Sequence, residues 1–207
     1  MLLISDEVIC SWGRLGYYFG AERYGYQPDM ITTAKGITSA YAPMGAVIAS
    51  DEVFAPFAEG KASFLHGITF GGHPIAAAVA MANLDVFEQE GLLEHVRENE
   101  GQLRGMLESL RDIAIVGDVR GAGYFHAIEL VKDRDTKESF TREEAEQLVR
   151  GYLGPELYGR GLICRADDRG DPVVQFSPPL IAGPEQFEEM EAVLRPVLEE
   201  ATRRMCA

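Results

Sequence analysis

One residue of this 207-residue chain, Lys35, has the type and setting for covalent chemistry, and Asp6, Thr69 and Arg165 could serve it. Lys35 ends the apolar run MITTAK and is followed by glycine. A lysine at the tip of a buried strand is partly desolvated. That disfavours the ammonium and favours the neutral amine that forms a Schiff base with a carbonyl. The same position also suits a lysine that merely leaves the core and carries its charge to water. Asp6 ends another apolar run, in ISDEV. Taken alone it reads equally well as a turn or helix-cap aspartate. Glu7, its neighbour, faces the opposite side of an extended strand and receives no chemical role.

Ligands of parallel α/β sheets sit at the carboxyl ends of the strands. Asp6 and Lys35 therefore meet in one pocket if their strands are neighbours. An acid and an amine converging there fit pyridoxal phosphate, with the carboxylate holding the pyridine nitrogen protonated and the lysine joined to the aldehyde. Thr69 lies in FLHGITFGGHPIAAA, just before a helix opened by Pro74. A hydroxyl with backbone N–H groups near a helix start can bind phosphate, although glycine-rich turns before helices are common. His66 and His73 flank Thr69, but no carboxylate stands at metal-ligand spacing, so both are expected to be structural. Arg165, in LICRADDRGDPVVQFSP, could fork onto a substrate carboxylate. Arg169 competes for that role, and a salt bridge to Asp167 or Asp168 is the alternative for either.

The elements that must position these side chains follow from periodicity. Residues 2–9 read as a strand too continuously apolar to have a wet face. Residues 30–35 and 45–50 read as two more, and together they suggest a parallel sheet covered on both faces. The glycine- and aromatic-rich stretch 11–29 reads as loop with a helical turn. A buried helix runs from Pro74 to Gly91, with proline in its first turn, and an amphipathic helix follows over residues 92–112. From there the pattern changes. Two strands surround a glycine turn in IAIVGDVRGAGYFHAIELV, and a helix capped by Thr141 and Glu144 comes next. Short strands are expected in LICRA and PVVQFSP. A closing helix from Pro184 carries acids early and Arg203 and Arg204 late, which suits its dipole.

The formal net charge of −14 argues against nucleic acid or an anionic membrane as partner. No stretch approaches the length of a membrane helix. The three cysteines, Cys10, Cys164 and Cys206, are odd in number and widely spaced, which points away from a disulfide framework or zinc site and towards a cytoplasmic setting.

In order and spacing, DEVICSWGRLGYYFG, GYQPDMITTAKGITSAYAPMGAVIAS, HGITFGGHPIAAAVAMANL, VRGAGYFHAIELV and GLICRADDRGDPVVQFSPPLI resemble the class III pyridoxal-phosphate aminotransferases. Within these, the likeness is greatest to the ω-aminotransferases of the amine- or β-amino-acid:pyruvate type. It runs from residue 2 to the final helix. The resemblance implies an α/β fold: residues 1–91 as the C-terminal part of the large cofactor-binding domain of fold type I, with a mostly parallel sheet, and residues 92–207 as a small α+β domain. It implies that Lys35 carries the cofactor, Asp6 pairs with its ring nitrogen and Val8 packs on one ring face. Ile68, through its backbone, and Thr69 would reach the phosphate of a neighbouring subunit's cofactor in a homodimer or tetramer. Arg165 would take the substrate carboxylate, with Arg169 in competition. The implied reaction is transamination between an amine or amino-acid donor and a keto acid such as pyruvate. Decarboxylases and aminomutases on the same scaffold would use Lys35 and Asp6 alike. The family's N-terminal half, with its phosphate loop and ring-stacking aromatic, has no counterpart here. The chain is therefore expected to be a C-terminal portion, which by itself could be inactive or act only as an assembly module.

Overall fold

The computed structural model describes residues 1–167 and 169–205, and Cys206 and Asp168 lie outside them. The chain divides into two compact units, Met1–Val96 and Arg97–Ala207.

The first unit is built on a three-stranded sheet in the order β1 (Ile4–Asp6), β2 (Met30–Thr33), β3 (Ala46–Ala49). β1 and β2 are parallel, with Asp6 opposite Thr32, whereas β3 runs antiparallel to β2. The direction of β3 departs from the parallel arrangement expected of all three runs. Continuous apolar composition speaks for a strand but does not carry its direction. The first strand is also shorter than residues 2–9, because the chain turns immediately after Asp6. Within this chain Leu2, Leu3 and Ile4 are each at least half exposed.

The same unit holds α1 (Gly20–Tyr24), α2 (Asp51–Ala58), α3 (Pro74–Gln89) and the start of α4 (Leu92–Ser109). The expected helical turn in the aromatic loop is α1. The short helix α2, capped by the Ser50 hydroxyl, was not legible in a stretch with proline at its centre. α3 begins as expected at Pro74, and the His73 ring accepts the Ile75 N–H at 3.3 Å as its cap. It is less buried than its composition suggested: only Ala76, Ala80 and Phe87 are fully enclosed.

The second unit holds a wholly antiparallel sheet, in the order β4 (Val116–Ala122), β5 (Phe125–Leu130), β7 (Val173–Phe176), β6 (Arg165–Asp167). β4 and β5 form the hairpin expected around the glycine turn. The helical region after Thr141 is interrupted: α5 (Arg142–Leu148) passes through one π-type turn into α6 (Gly154–Gly159). α7 (Pro184–Met205) closes the chain and buries Phe187, Leu194, Val197, Leu198 and Ala201. Tyr124 meets Phe187 edge to face at 5.6 Å and donates its hydroxyl to the Ala182 carbonyl at 2.7 Å. This side of the chain has a dense core, with Leu103, Leu107, Ile128 and Leu130 at zero exposure.

Candidate active site

Asp6 and Lys35 are brought to the same end of the sheet. Asp6 is the last residue of β1, and Lys35 follows the end of the adjacent parallel strand β2 by two residues. The Asp6 carboxylate accepts the Thr32 hydroxyl at 3.1 Å and the Val8 N–H at 3.3 Å, both on Oδ1. Its other oxygen accepts nothing from the described residues. Alternation along β1 separates the two acids as expected. Asp6 is exposed, while Glu7 is only 1% exposed.

Glu7 has a clear structural task. Its carboxylate accepts the Gly20 N–H at 2.5 Å, the Ala21 N–H at 2.8 Å and the Ser5 hydroxyl at 3.2 Å. It thus satisfies the first donors of α1 and pins the aromatic loop beneath β1.

Beneath the sheet end runs a directional hydrogen-bond chain. The Ser11 hydroxyl donates to the Glu7 carbonyl at 2.6 Å, so its single proton is spent there. The Ser11–Thr33 contact of 2.6 Å must then have Thr33 as donor, and Thr33 in turn accepts the Trp12 indole N–H at 2.6 Å. Ser11 and Thr33 are both buried. This chain ties the residues just after Asp6 to the strand end just before Lys35.

Lys35 itself opens a one-turn 3₁₀ helix, Lys35–Thr38, and has a φ of 46°. Positive φ in a residue with a Cβ costs on the order of 1–2 kcal/mol, and such residues cluster where geometry serves function. Ser39 and Ala40 share the left-handed region at 47° and 63°. Gly36 is required by a close approach, because a Cβ there would stand 2.8 Å from the Trp12 Cβ. Lys35 is exposed and makes no ion pair among the described residues. The desolvation expected of a strand-tip lysine is therefore not supplied by this chain.

Val8 is half-buried in the turn after β1. Ile68 and Thr69 lie in a segment that is exposed throughout residues 59–75, with Ile68 72% exposed. The segment folds only locally: the Gly71 N–H reaches the Ile68 carbonyl at 3.0 Å. No hydrogen bond joins it to Asp6 or Lys35. The His66 ring meets the Phe64 ring at 5.6 Å, tilted by 56°.

Arg165 lies in the second unit, on β6. Its guanidinium contacts the Asp167 carboxylate at 2.8 Å, and Arg169 grips the same carboxylate at 2.7 Å. The side-chain hydrogen bond from Arg169, its backbone N–H and the nearby Arg165 charge hold Asp167 far below the usual carboxylate range. Arg165 and Arg169 are therefore both engaged with one aspartate, which is the salt-bridging alternative to a free substrate fork. Arg169, with Arg120, Glu129 and Asp167, also lines a polar cavity of about 470 Å³.

The donor set at the sheet end fits pyridoxal phosphate. A primary amine and a half-satisfied carboxylate stand at the carboxyl ends of neighbouring parallel strands, as that cofactor's aldehyde and ring nitrogen require. Sequence reasoning missed Glu7, Ser11, Trp12 and Asn83, which support this end of the sheet. The oxygen-rich ITT run was the one available signal for Thr32 and Thr33.

Comparison with known proteins places the chain in a family. A family profile, class-III aminotransferase, matches residues 1–198. A probable aminotransferase of Mycobacterium tuberculosis is 56% identical over 99% of this chain and 44% of its own length. The putrescine–pyruvate aminotransferase of Pseudomonas aeruginosa is 39% identical over 100% of this chain and 44% of its own. Among solved structures, an (S)-enantioselective ω-transaminase from Thermomicrobium roseum superposes with a TM-score of 0.89 at 37% identity, over 97% of this chain and 44% of that one. The ω-transaminase of Pseudomonas jessenii, solved in complex with PMP, gives 0.89 at 36% identity. The chain thus spans less than half the length of the relatives it matches. A profile match across residues 1–198, and a fold shared with solved transaminases at a TM-score of 0.89, lead to one conclusion: the chain belongs to the class-III aminotransferase family.

Proposed function

We propose that this chain carries the lysine-bearing part of a pyridoxal-phosphate-dependent aminotransferase, which moves an amino group between an amine or amino-acid donor and a keto acid such as pyruvate. The observation that carries the proposal is the placement of Asp6 and Lys35 on the ends of two paired parallel strands. Bound pyridoxal phosphate supplies an electron sink for the carbanion formed next to the substrate nitrogen. Asp6 would hold the ring nitrogen's proton, with Thr32 and the Val8 N–H fixing its carboxylate, and Val8 would bound one ring face. Lys35 would hold the cofactor covalently and, once displaced by the donor amine, act as the positioned base at the substrate carbon.

The finer roles belong to the same proposal. Ile68 and Thr69 would contact the phosphate of a second subunit's cofactor in a homodimer or tetramer, which their exposure in this chain supports. Arg165 would bind a substrate carboxylate, and to do so it must leave Asp167 to Arg169, which already holds that carboxylate through its side chain and backbone N–H. Residues 1–91 are read as cofactor-binding and residues 92–207 as the smaller domain, in a cytoplasmic protein. Among the described residues no helix is long and apolar enough to cross a membrane.

The test is made on the complete protein. Lys35→Ala should abolish both the visible absorbance of bound cofactor and the conversion of amine plus pyruvate into alanine. Full activity in Lys35→Ala would overturn the assignment. Keto-acid gain that matches amino-donor loss, without CO₂ release, separates transamination from decarboxylation.

A further inference from the structure

The turn that carries Lys35 is hydrogen-bonded from α3 by the side chain of Asn83. This residue sits in the middle of α3 and is half-buried. Its Nδ2 donates to the Gly36 carbonyl at 2.9 Å and to the Ile37 carbonyl at 3.2 Å. Its Oδ1 accepts the Ser39 hydroxyl at 2.7 Å. The orientation of the amide follows from chemistry, since only its NH₂ end can face two carbonyls.

The segment so gripped needs a grip. Lys35, Ser39 and Ala40 all have positive φ without being glycine. A one-turn 3₁₀ helix has few bonds of its own, and the backbone bonds at its ends run from 3.0 to 3.3 Å: Ile37 N–H to Ala34 and Ser39 N–H to Gly36 at 3.2 Å, Ala40 N–H to Lys35 at 3.3 Å and Tyr41 N–H to Thr38 at 3.0 Å. Strained backbone persists only where its surroundings over-determine it. On one side Trp12 packs against Gly36, and on the other Asn83 ties down three of the four residues that follow Lys35.

We infer that Asn83 is a positioning residue for Lys35: its carboxamide fixes the strained turn from which the lysine projects, and so sets where the amine stands relative to Asp6. The inference rests on Lys35 as the cofactor-bearing lysine. Misplacing a reacting group by about an ångström costs up to roughly a hundredfold in rate.

The experiment uses the complete protein with added pyridoxal phosphate. It reads the rate at which borohydride traps cofactor on Lys35, by peptide mass, and the amide hydrogen exchange of residues 36–40. Asn83→Ala should slow trapping about tenfold or more and accelerate exchange in that turn. Asn83→Asp discriminates, because it is isosteric but turns an oxygen where the two carbonyls need a donor. A mere packing role predicts that Asn83→Asp behaves as the unmodified protein, and that result in both readouts would overturn the inference. Comparable losses in Asn83→Asp and Asn83→Ala support it. If Asn83→Ala does not fold, Ser39→Ala, which removes one of the three bonds, stands in, and unchanged trapping and exchange there count against the inference. If borohydride labels no Lys35 even in the unmodified protein, the reading of Lys35 fails, and exchange alone then decides whether Asn83 holds the turn.

Discussion

The Thr32 hydroxyl donates to Asp6 Oδ1 at 3.1 Å, across the rung where the two residues face each other in the β1–β2 ladder. The bond couples the candidate acid to the strand that leads to the candidate lysine, and it leaves the second carboxylate oxygen open.

Substitutions at this rung should separate charge from aim. Asp6→Asn keeps the shape but loses the charge, and should cut turnover of the complete enzyme by about 100-fold or more while cofactor still binds. Thr32→Val keeps the charge and loosens its aim. The loss there should be about 0.5–1 kcal/mol, or roughly two- to fivefold in turnover. Steady-state kinetics with cofactor occupancy read from absorbance checks both, and equal effects would show that charge is not what Asp6 contributes.

Glu7 should matter to folding. Glu7→Ala strips the Gly20 and Ala21 N–H groups of their partner in a buried place, which should destabilise the protein by about 2–4 kcal/mol. Glu7→Gln, which retains an acceptor, should cost less. Urea unfolding followed by tryptophan fluorescence reports the difference, since Trp12, the single tryptophan, lies in the pinned loop.

Glu144 should contribute to acid sensitivity. The Lys132 ammonium at 2.9 Å, and then the Thr141 N–H, lower its carboxyl to about 2. A carboxyl depressed by folding stabilises the native state above its unfolded value of about 4.3. That stability is lost as pH falls through the folded value near 2. Replacing Glu144 by Gln should therefore flatten the dependence of Tm on pH between about 4.3 and 2 and leave the slope at neutral pH unchanged.

Cys164 should be a sluggish thiol. Burial raises it to about 11, and Cys10 is raised as well, by burial first and then by the charges of Glu7 and Asp6. Only the thiolate reacts, so at pH 8 a thiol titrating near 11 is about 0.1% ionised. Iodoacetamide should modify Cys164 at a small fraction of the rate it shows after denaturation, as read by peptide mass.

Much of this was legible in the chain itself, for identifiable reasons. Pro74, Thr141 with Glu144, and Pro184 announce their helices because caps and prolines act within a few residues. The placement of Asp6 and Lys35 at one end of the sheet was legible because each closes an apolar run. The direction of β3, the shortness of β1 and the exposure of residues 2–4 were not, because they depend on what lies across the sheet. Asn83 was invisible for the same reason: its three partners lie 44 to 47 residues away, and nothing in ANLDV marks the asparagine. Arg165 and Arg169 stayed ambiguous in the sequence, and the structure binds both to Asp167.

The φ of 46° at Lys35 sets folding against chemistry at a single codon. Asparagine tolerates that conformation better than lysine does, so in the cofactor-free protein Lys35→Asn should leave Tm unchanged or raise it. With Lys35 as the cofactor-bearing lysine proposed above, selection of the cofactor-free protein for heat resistance alone would favour clones that had discarded the lysine and, with it, the proposed activity.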